Sequence, residues 1–316
     1  MKKDVLYIVV PCYNEQEVLP LTTERLQEQL QAMIDAQLVG EDSRILYVND
    51  GSIDSTWQLI EEHTRQHKQV CGLKLAGNVG HQNALMAGLE AASERADIII
   101  SIDADLQDDV KVMTEMVEKY HQGCDIVYGV RRERKSDTWF KRNSALAFYK
   151  LMRHLGVKSV HNHADYRLMS RRAVCQLMKY RERNLFLRGI VPLVGYRTDS
   201  VFYDRSERVA GESKYPLSKM LNFAVNGITS FSIKPVRMVL TLGIIFTLIA
   251  LGILIYVLIA YFSGRTVSGW ASLILSLWFI GGCVLIGLGI VGEYIGKIYI
   301  EVKDRPRYNV EEEIMQ

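Results

Sequence analysis

From Met238 to Phe262 no residue is charged, and after Ser263-Gly264-Arg265 a second uncharged run extends from Thr266 to Gly292. A hydrocarbon core about 30 Å thick is crossed by roughly 20 apolar helical residues, and each run is long enough. Two buried helices of a soluble domain are the competing reading, which runs of this length disfavour. The pattern therefore predicts two spans, 238–262 and 267–292, within a hairpin region 235–296. Lys234 and Arg237 precede the runs, Lys297, Lys303, Arg305 and Arg307 follow them, and Arg265 lies between. That asymmetry places both ends, and the large N-terminal part, on the cytoplasmic face of a multi-pass cell-membrane protein.

The segment 214–234 just before the runs is amphipathic. Leu217, Met220, Leu221, Ala224, Ile228 and Phe231 recur at helical spacing, with Lys219, Asn222 and Asn226 elsewhere on the wheel. Pro216 suits a first helical turn. Two readings stand for this helix: in-plane at the membrane interface, or packed on the soluble domain. Residues 297–316 are expected to form a cytoplasmic tail.

The remaining stretch, residues 1–213, alternates short β-rich apolar runs with amphipathic helical patterns. The runs are Val5–Val10, Ile45–Val48, Val70–Leu75, Ile98–Ile102 and Asp125–Tyr128; between them lie helical patterns around 15–36, 55–67, 81–92 and 110–121. Alternation at this pitch predicts an α/β domain with helices on both faces of a sheet. The N-terminal apolar run stops at Pro11, too soon for a signal-peptide core. Lys and Arg number 38 against 36 Asp and Glu, so no polybasic footprint for nucleic acid exists. The five cysteines share no CxxC spacing, which excludes a disulfide framework or a zinc site and suits a reducing compartment.

Ligands of such sheets bind beyond the carboxyl ends of the strands. Three of those ends carry polar clusters: Pro11-Cys-Tyr-Asn-Glu15, Asn49-Asp-Gly-Ser-Ile-Asp-Ser-Thr56 and Asp103-Ala-Asp-Leu-Gln-Asp-Asp109. Asp54 and Asp109 are equally explained as turn or helix-entry residues. Asp103 and Asp105, one residue apart after a buried strand, are expected to point the same way. Two aligned carboxylates repel unless a cation joins them. Hard oxygen ligands favour Mg2+ or Mn2+, with coordination positions left for phosphate oxygens. The same rim suits a nucleotide diphosphate, with Asp50 available to base or ribose.

VPCYNE (10–15), NDGSIDST (49–56) and DADLQDD (103–109) resemble the donor-binding motifs of glycosyltransferase family 2, which has the GT-A fold, a Rossmann-like nucleotide-diphospho-sugar transferase domain. GVRRERKSDTWFKR (129–142), ADYRLMSRRAV (164–174), ERNLFLRG (182–189), RSERVAGESKYP (205–216) and RPRY (305–308) extend the similarity to the polyisoprenyl-phosphate glycosyltransferases, of the bactoprenol glucosyltransferase type and related to dolichol-phosphate mannosyltransferase. The resemblance implies a nucleoside pocket lined by Pro11, Tyr13, Glu15 and Asp50. It implies Asp103 for ribose and metal, Asp105 as the principal metal ligand, and a catalytic Asp165 on the acceptor side of the sugar, either as the base or as a group orienting a neighbouring cation or the sugar. Arg131, Lys141, Arg142 and Ser144, with Arg205, Ser213 and Lys214, would hold phosphates, Arg131 at the reacting centre. The implied substrates are a UDP-linked hexose, with glucose or N-acetylglucosamine ahead, and undecaprenyl phosphate. A homotetramer, with the tail as a contact, is the assembly it suggests; a flippase and a downstream transferase of a cell-envelope glycan are the partners. The run His161-Asn-His-Ala-Asp165 has alanine where many relatives have glycine, and its HxH pair lacks a third ligand nearby.

Two rivals share part of this pattern. A processive polysaccharide synthase needs a QxxRW motif and further spans, and ERNLFLRG stands in that place. A catalytically inactive nucleotide-sugar-binding scaffold has no need for Asp103, Asp105 and Asp165 together. A dinucleotide-dependent dehydrogenase is excluded because no GxGxxG follows the first strand.

Overall fold

The computed structural model describes residues 3–132, 163–183, 185–204, 234–263 and 269–316. They divide into two compact units, one holding the described residues up to 204 and 305–316, the other holding those from 234 to 304.

The first unit is built on an eight-stranded mixed sheet of order β7-β5-β6-β4-β1-β2-β3-β8. Its centre follows the apolar runs. Strand β1 (Leu6–Cys12) is buried at every position, as expected for a strand covered on both faces. It pairs in parallel with β2 (Arg44–Asn49) through Ile8↔Ile45 and with β4 (Ile98–Ser101) through Ile8↔Ile100. Strand β3 (Val70–Leu75) joins β2 in parallel. Helices α1 (Leu19–Asp35), α2 (Thr56–Gln66), α3 (His81–Ser93) and α4 (Val112–His121) connect them. Each buries one stripe: Leu26, Leu30 and Met33 in α1, Trp57 and Ile60 in α2, Met113, Met116 and Val117 in α4.

One glycine lets helix α3 approach the sheet closely. A Cβ at Gly88 would stand 2.4 Å from Val9 Cγ1 and 2.6 Å from Val48 Cγ2. The helix therefore rests its backbone against β1 and β2 with no room to slide.

Beyond β5 (Ile126–Arg131) the sheet departs from simple alternation. Strand β6 (His163–Ser170) inserts antiparallel between β4 and β5, pairing Ser101↔Arg167 and Tyr128↔Arg167. Running backwards, it starts at the rim where β4 ends. Helices α5 (Arg171–Leu177) and α6 (Leu187–Ile190) and a 3-10 turn (Val191–Val194) lead to β7 (Thr198–Tyr203), parallel to β5.

The C-terminal tail is a strand of this same sheet. Strand β8 (Val310–Ile314) pairs antiparallel with β3 through Gly72↔Ile314 and Leu73↔Glu313. Lys74 Nζ meets Glu311 Oε1 at 2.8 Å, and Arg95 Nη2 meets Glu313 Oε1 at 3.1 Å. The RPRY motif fastens its approach: Arg307 donates to the Tyr180 carbonyl and Tyr308 to Glu90.

The second unit contains helices α7 (Lys234–Phe262) and α8 (Trp270–Val302). Their rings at Phe246 and Phe279 meet edge to face at 5.8 Å, and Gly287 lets Val239 approach α8. Among the described residues, Phe279–Val302 is the segment long and apolar enough to cross a membrane. Helix α8 thus runs past the expected end at 292, through Glu293, Lys297 and Glu301. The amphipathic segment 214–234 lies outside the described residues except for its last position, Lys234.

Cys12, Cys71 and Cys124 are buried thiols, and all five cysteines are free.

Candidate active site

The carboxyl ends of β1 and β2 are laced into one loop pair. Asn14, at φ 55°, takes the Ser52 hydroxyl on its N–H at 3.0 Å and accepts from the Ile53 N–H at 2.9 Å. Glu15 N–H donates to Thr56 Oγ1 at 2.9 Å. Asp54 accepts from Thr56 N–H and hydroxyl, and Asp109 from Lys111 N–H, so both act as turn residues. Pro11 is buried and Tyr13 stands 42% exposed beside it.

Asp50 is 2% exposed and both its oxygens are used: Oδ1 accepts from Val79 N–H at 2.7 Å, Oδ2 from Gly80 N–H at 3.0 Å. Burial raises its carboxyl above the usual range, and the two amides oppose that rise. Asp50 ties the loop after β3 to the end of β2. Gly51 permits the approach, since a Cβ there would lie 2.5 Å from Asn78 N and its φ is +63°.

The strand β4 ends at Ser101, before the acidic cluster, so strand alternation does not orient Asp103 and Asp105. Both stand in the turn that follows, in which Leu106 adopts φ 52°, and Asp105 Oδ1 accepts from Gln107 N–H at 3.2 Å. Asp103 nevertheless sits among carboxylates. Loss of water in the cleft raises its carboxyl first, then Asp165, Asp108 and Asp105, with His81 opposing. His81 Nε2 lies 3.5 Å from Asp103 Oδ1 and 3.9 Å from Asp165 Oδ2.

Asp165 reaches this rim from β6, whose Asp165 carbonyl accepts from Ser101 Oγ at 2.6 Å. Its carboxylate is clamped from two sides, by Arg167 Nη2 on Oδ1 at 2.5 Å and Arg188 Nη2 on Oδ2 at 3.2 Å. Burial alone would raise this acid, but Arg188, then Arg167 and His81, hold it well below the usual carboxylate range. Arg167 is 2% exposed, and its Nε and Nη1 are buried without a partner among the described residues. It is a fixed charge beneath the site.

Arg131 leaves the end of β5 and is gripped by Asp108, an acid of the DADLQDD motif to which the sequence assigned no role. Its Nε and Nη2 donate to Asp108 Oδ1 at 3.2 and 3.0 Å, and Tyr203 donates to the same oxygen at 2.7 Å. Burial opposes the guanidinium charge and Asp108 more than restores it. The Asp108 side chain is 1% exposed, so Arg131 has a rigid mount while a quarter of its own side chain remains accessible.

The structure thus brings Asp50, Asp103, Asp165 and Arg131 into one unit of the chain, with Pro11, Tyr13, Glu15 and Asp105 on the same loops. Lys141, Arg142, Ser144, Arg205, Ser213 and Lys214 lie outside the described residues. Sequence reasoning missed His81, Gln82, Asp108, Arg167 and Arg188. Arg167 and Arg188 lie inside ADYRLMS and ERNLFLRG, and the Gly77-Asn-Val-Gly80 turn before His81 was the available signal for the third strand's end.

Among the described residues no three His, Cys, Asp or Glu side chains form a metal cage. The donor set still fits a hard divalent cation. Asp103 and Asp105 offer only oxygen, and the crowding of carboxylates around Asp103 is relieved by positive charge.

The model of the family described as glycosyl transferase family 2 matches residues 7–177. The uncharacterized glycosyltransferase YkoT of Bacillus subtilis is 55% identical over 97% of this chain and 91% of its own length. The SfII prophage-derived bactoprenol glucosyl transferase of Shigella flexneri is 40% identical over 95% of this chain and 96% of its own. Among solved structures, mannosyl-3-phosphoglycerate synthase from Rubrobacter xylanophilus aligns with a TM-score of 0.49 at 17% identity, covering 74% of each chain.

Proposed function

From the premise that this chain belongs to glycosyl transferase family 2 and is a glycosyltransferase, we propose that it moves one hexose from a UDP-sugar, UDP-glucose or UDP-N-acetylglucosamine first, to undecaprenyl phosphate. The observation that carries this reading is Asp165, clamped between Arg167 and Arg188, with His81 reaching both it and Asp103. The acceptor class rests on the end-to-end similarity to the Shigella relative.

Donor and acceptor are both polyanions, so their repulsion is a large part of the barrier and fixed cations must cancel it. Arg131 and Arg188 are such cations, each mounted on a buried or part-buried carboxylate. Lys141, Arg142, Ser144, Arg205, Ser213 and Lys214 are proposed to add to the phosphate-binding set. Asp103 and Asp105 would hold Mg2+ or Mn2+, which supplies Lewis-acid stabilisation to the departing diphosphate. Tyr13 offers its ring and Pro11 its buried face to the nucleoside, while Asp50 keeps the loop after β3 closed beside it. Glu15 completes that pocket.

The nucleophile needs no strong base. A phosphate monoester has its second pKa near roughly 6 and is mostly dianionic at neutral pH. Asp165, paired with two guanidinium groups, is a poor proton acceptor and a good anchor. It orients Arg188 and leaves the lipid phosphate to attack C1 directly. One displacement inverts the anomeric centre, so an α-linked donor yields a β-linked lipid phosphate.

Helices α7 and α8 serve as two spans of a multi-pass cell-membrane protein with the transferase unit in the cytoplasm, where nucleotide sugars are made available. A homotetramer, and delivery of product to a flippase and a downstream transferase of envelope glycans, belong to the same proposal. The test is incubation of the purified full chain in lipid nanodiscs with undecaprenyl phosphate and a panel of labelled nucleotide sugars, with and without EDTA. Label entering the organic phase from one donor, and only without EDTA, supports the reading. Label that never leaves the aqueous phase overturns it, and transfer undiminished by EDTA removes the metal.

A further inference from the structure

Helix α6 is a single turn of four residues, too short to hold itself together in water. Its first N–H groups have no partner inside the turn. The residue before it, Phe186, has a side chain that cannot cap, and accepts with its carbonyl from Gly189 and Ile190. The Leu187 N–H points elsewhere: it donates to Gln82 Oε1 at 2.9 Å, across 105 residues of sequence.

Gln82 is well placed for this task. It is the second residue of α3, a helix wedged on β1 and β2 at Gly88. The start of that helix is set by Asp50, which holds the Val79 and Gly80 amides. Gly80, at φ +86°, then turns the chain into α3, and Asn83 ties back to the Val79 carbonyl at 2.8 Å. The amide of Gln82 therefore projects from a base fixed by backbone packing and by three hydrogen bonds. The next residue after its partner Leu187 is Arg188, whose guanidinium meets Asp165.

We infer that Gln82 is a positioning residue for the transfer reaction: it caps α6 from α3 and so sets Arg188 against Asp165. The chain Asp50, Gly80, Gln82, Leu187, Arg188, Asp165 then joins the proposed nucleoside pocket to the reacting centre within one unit. This inference rests on the function proposed above. Without the Gln82 oxygen the Leu187 N–H loses its acceptor and α6 frays. Arg188 then approaches Asp165 from a mobile start. Misplacing a catalytic group by about 1 Å costs on the order of 100-fold in rate.

The test compares wild type, Gln82→Ala, Gln82→Glu, Arg188→Ala and the Gln82→Ala/Arg188→Ala double variant, as full chains in nanodiscs with UDP-glucose and undecaprenyl phosphate. Gln82→Ala is expected to lower kcat at least tenfold with KM for UDP-glucose within twofold of wild type. Gln82→Glu keeps an acceptor oxygen at the same reach and is expected to restore kcat to within about threefold. In the Arg188→Ala background the Gln82 substitution is expected to add less than twofold. Amide exchange at Leu187, followed by mass spectrometry, should accelerate in Gln82→Ala and stay slow in Gln82→Glu. An unchanged kcat in Gln82→Ala, a full tenfold loss persisting in the Arg188→Ala background, or unchanged Leu187 exchange would each overturn the inference. A wild-type chain that transfers nothing overturns the proposed function instead, and the exchange measurement then decides the anchor alone.

Discussion

Arg188 Nη2 lies 3.2 Å from Asp165 Oδ2, on the side of the carboxylate opposite the buried Arg167. An acid so paired is a structural anion across the physiological range. Its folded pKa is depressed, so the stability it contributes is complete above the usual carboxylate pKa and is lost only as pH falls toward the lowered value. No part of an activity profile between pH 5 and 8 then belongs to Asp165.

That separation predicts the pH dependence of transfer. The acidic limb should follow the acceptor phosphate, with an apparent pKa near roughly 6. Asp165→Asn should lower kcat by at least about 100-fold through loss of orientation, yet leave the limb where it is. Rate profiles of wild type and variant check this; a limb that vanishes in Asp165→Asn would make Asp165 the base.

Asp50 is predicted to act through the loop it holds. Asp50→Ala leaves the Val79 and Gly80 amides without their acceptor, at a cost of about 1–3 kcal/mol. Denaturant unfolding should register that loss, and calorimetric titration with UDP should give weaker binding in the same variant.

Gly88→Ala places a methyl group into Val9 and Val48 and pushes α3 off the sheet. Overpacking of this kind costs about 1–3 kcal/mol, visible as a lower Tm. The variant should also lose transfer activity, since His81 and Gln82 ride on the same helix.

Deleting residues 310–316 removes β8 and uncovers the edge of β3, an apolar strand from Val70 to Leu75. Bare edges of this kind template aggregation. Size-exclusion chromatography should show larger species for the deletion, and Tm should fall by at least about 5 °C.

The central strands were legible because each is a continuous apolar run between helical patterns. The later strands were not. β6 carries Asp165 and Arg167, whose charges compensate each other only after folding, and β8 reads Val-Glu-Glu-Glu-Ile. Its glutamates look like a solvated tail until Lys74 and Arg95 are seen beside them. At the site, Asp103 stood out as an acid beyond a strand end, and Asp165 came only through the resemblance of ADYRLMSRRAV. The alternation argued for Asp103 and Asp105 does not extend to them, because β4 stops at Ser101 and a turn through Leu106 follows. Gln82 carried no local signal, since its bond to the Leu187 N–H crosses elements far apart in sequence, and Arg188 lay within ERNLFLRG without its partner Asp165 being visible there.

The central claim is that one sugar, without its phosphate, passes to a lipid monophosphate. Mass spectrometry of the lipid recovered after incubation with undecaprenyl phosphate and the nucleotide sugar that the chain accepts tests it most directly. The account predicts the lipid phosphate heavier by one hexose residue and one nucleoside diphosphate released per product. A lipid diphosphate with release of nucleoside monophosphate, or an unchanged lipid beside free sugar, would contradict it.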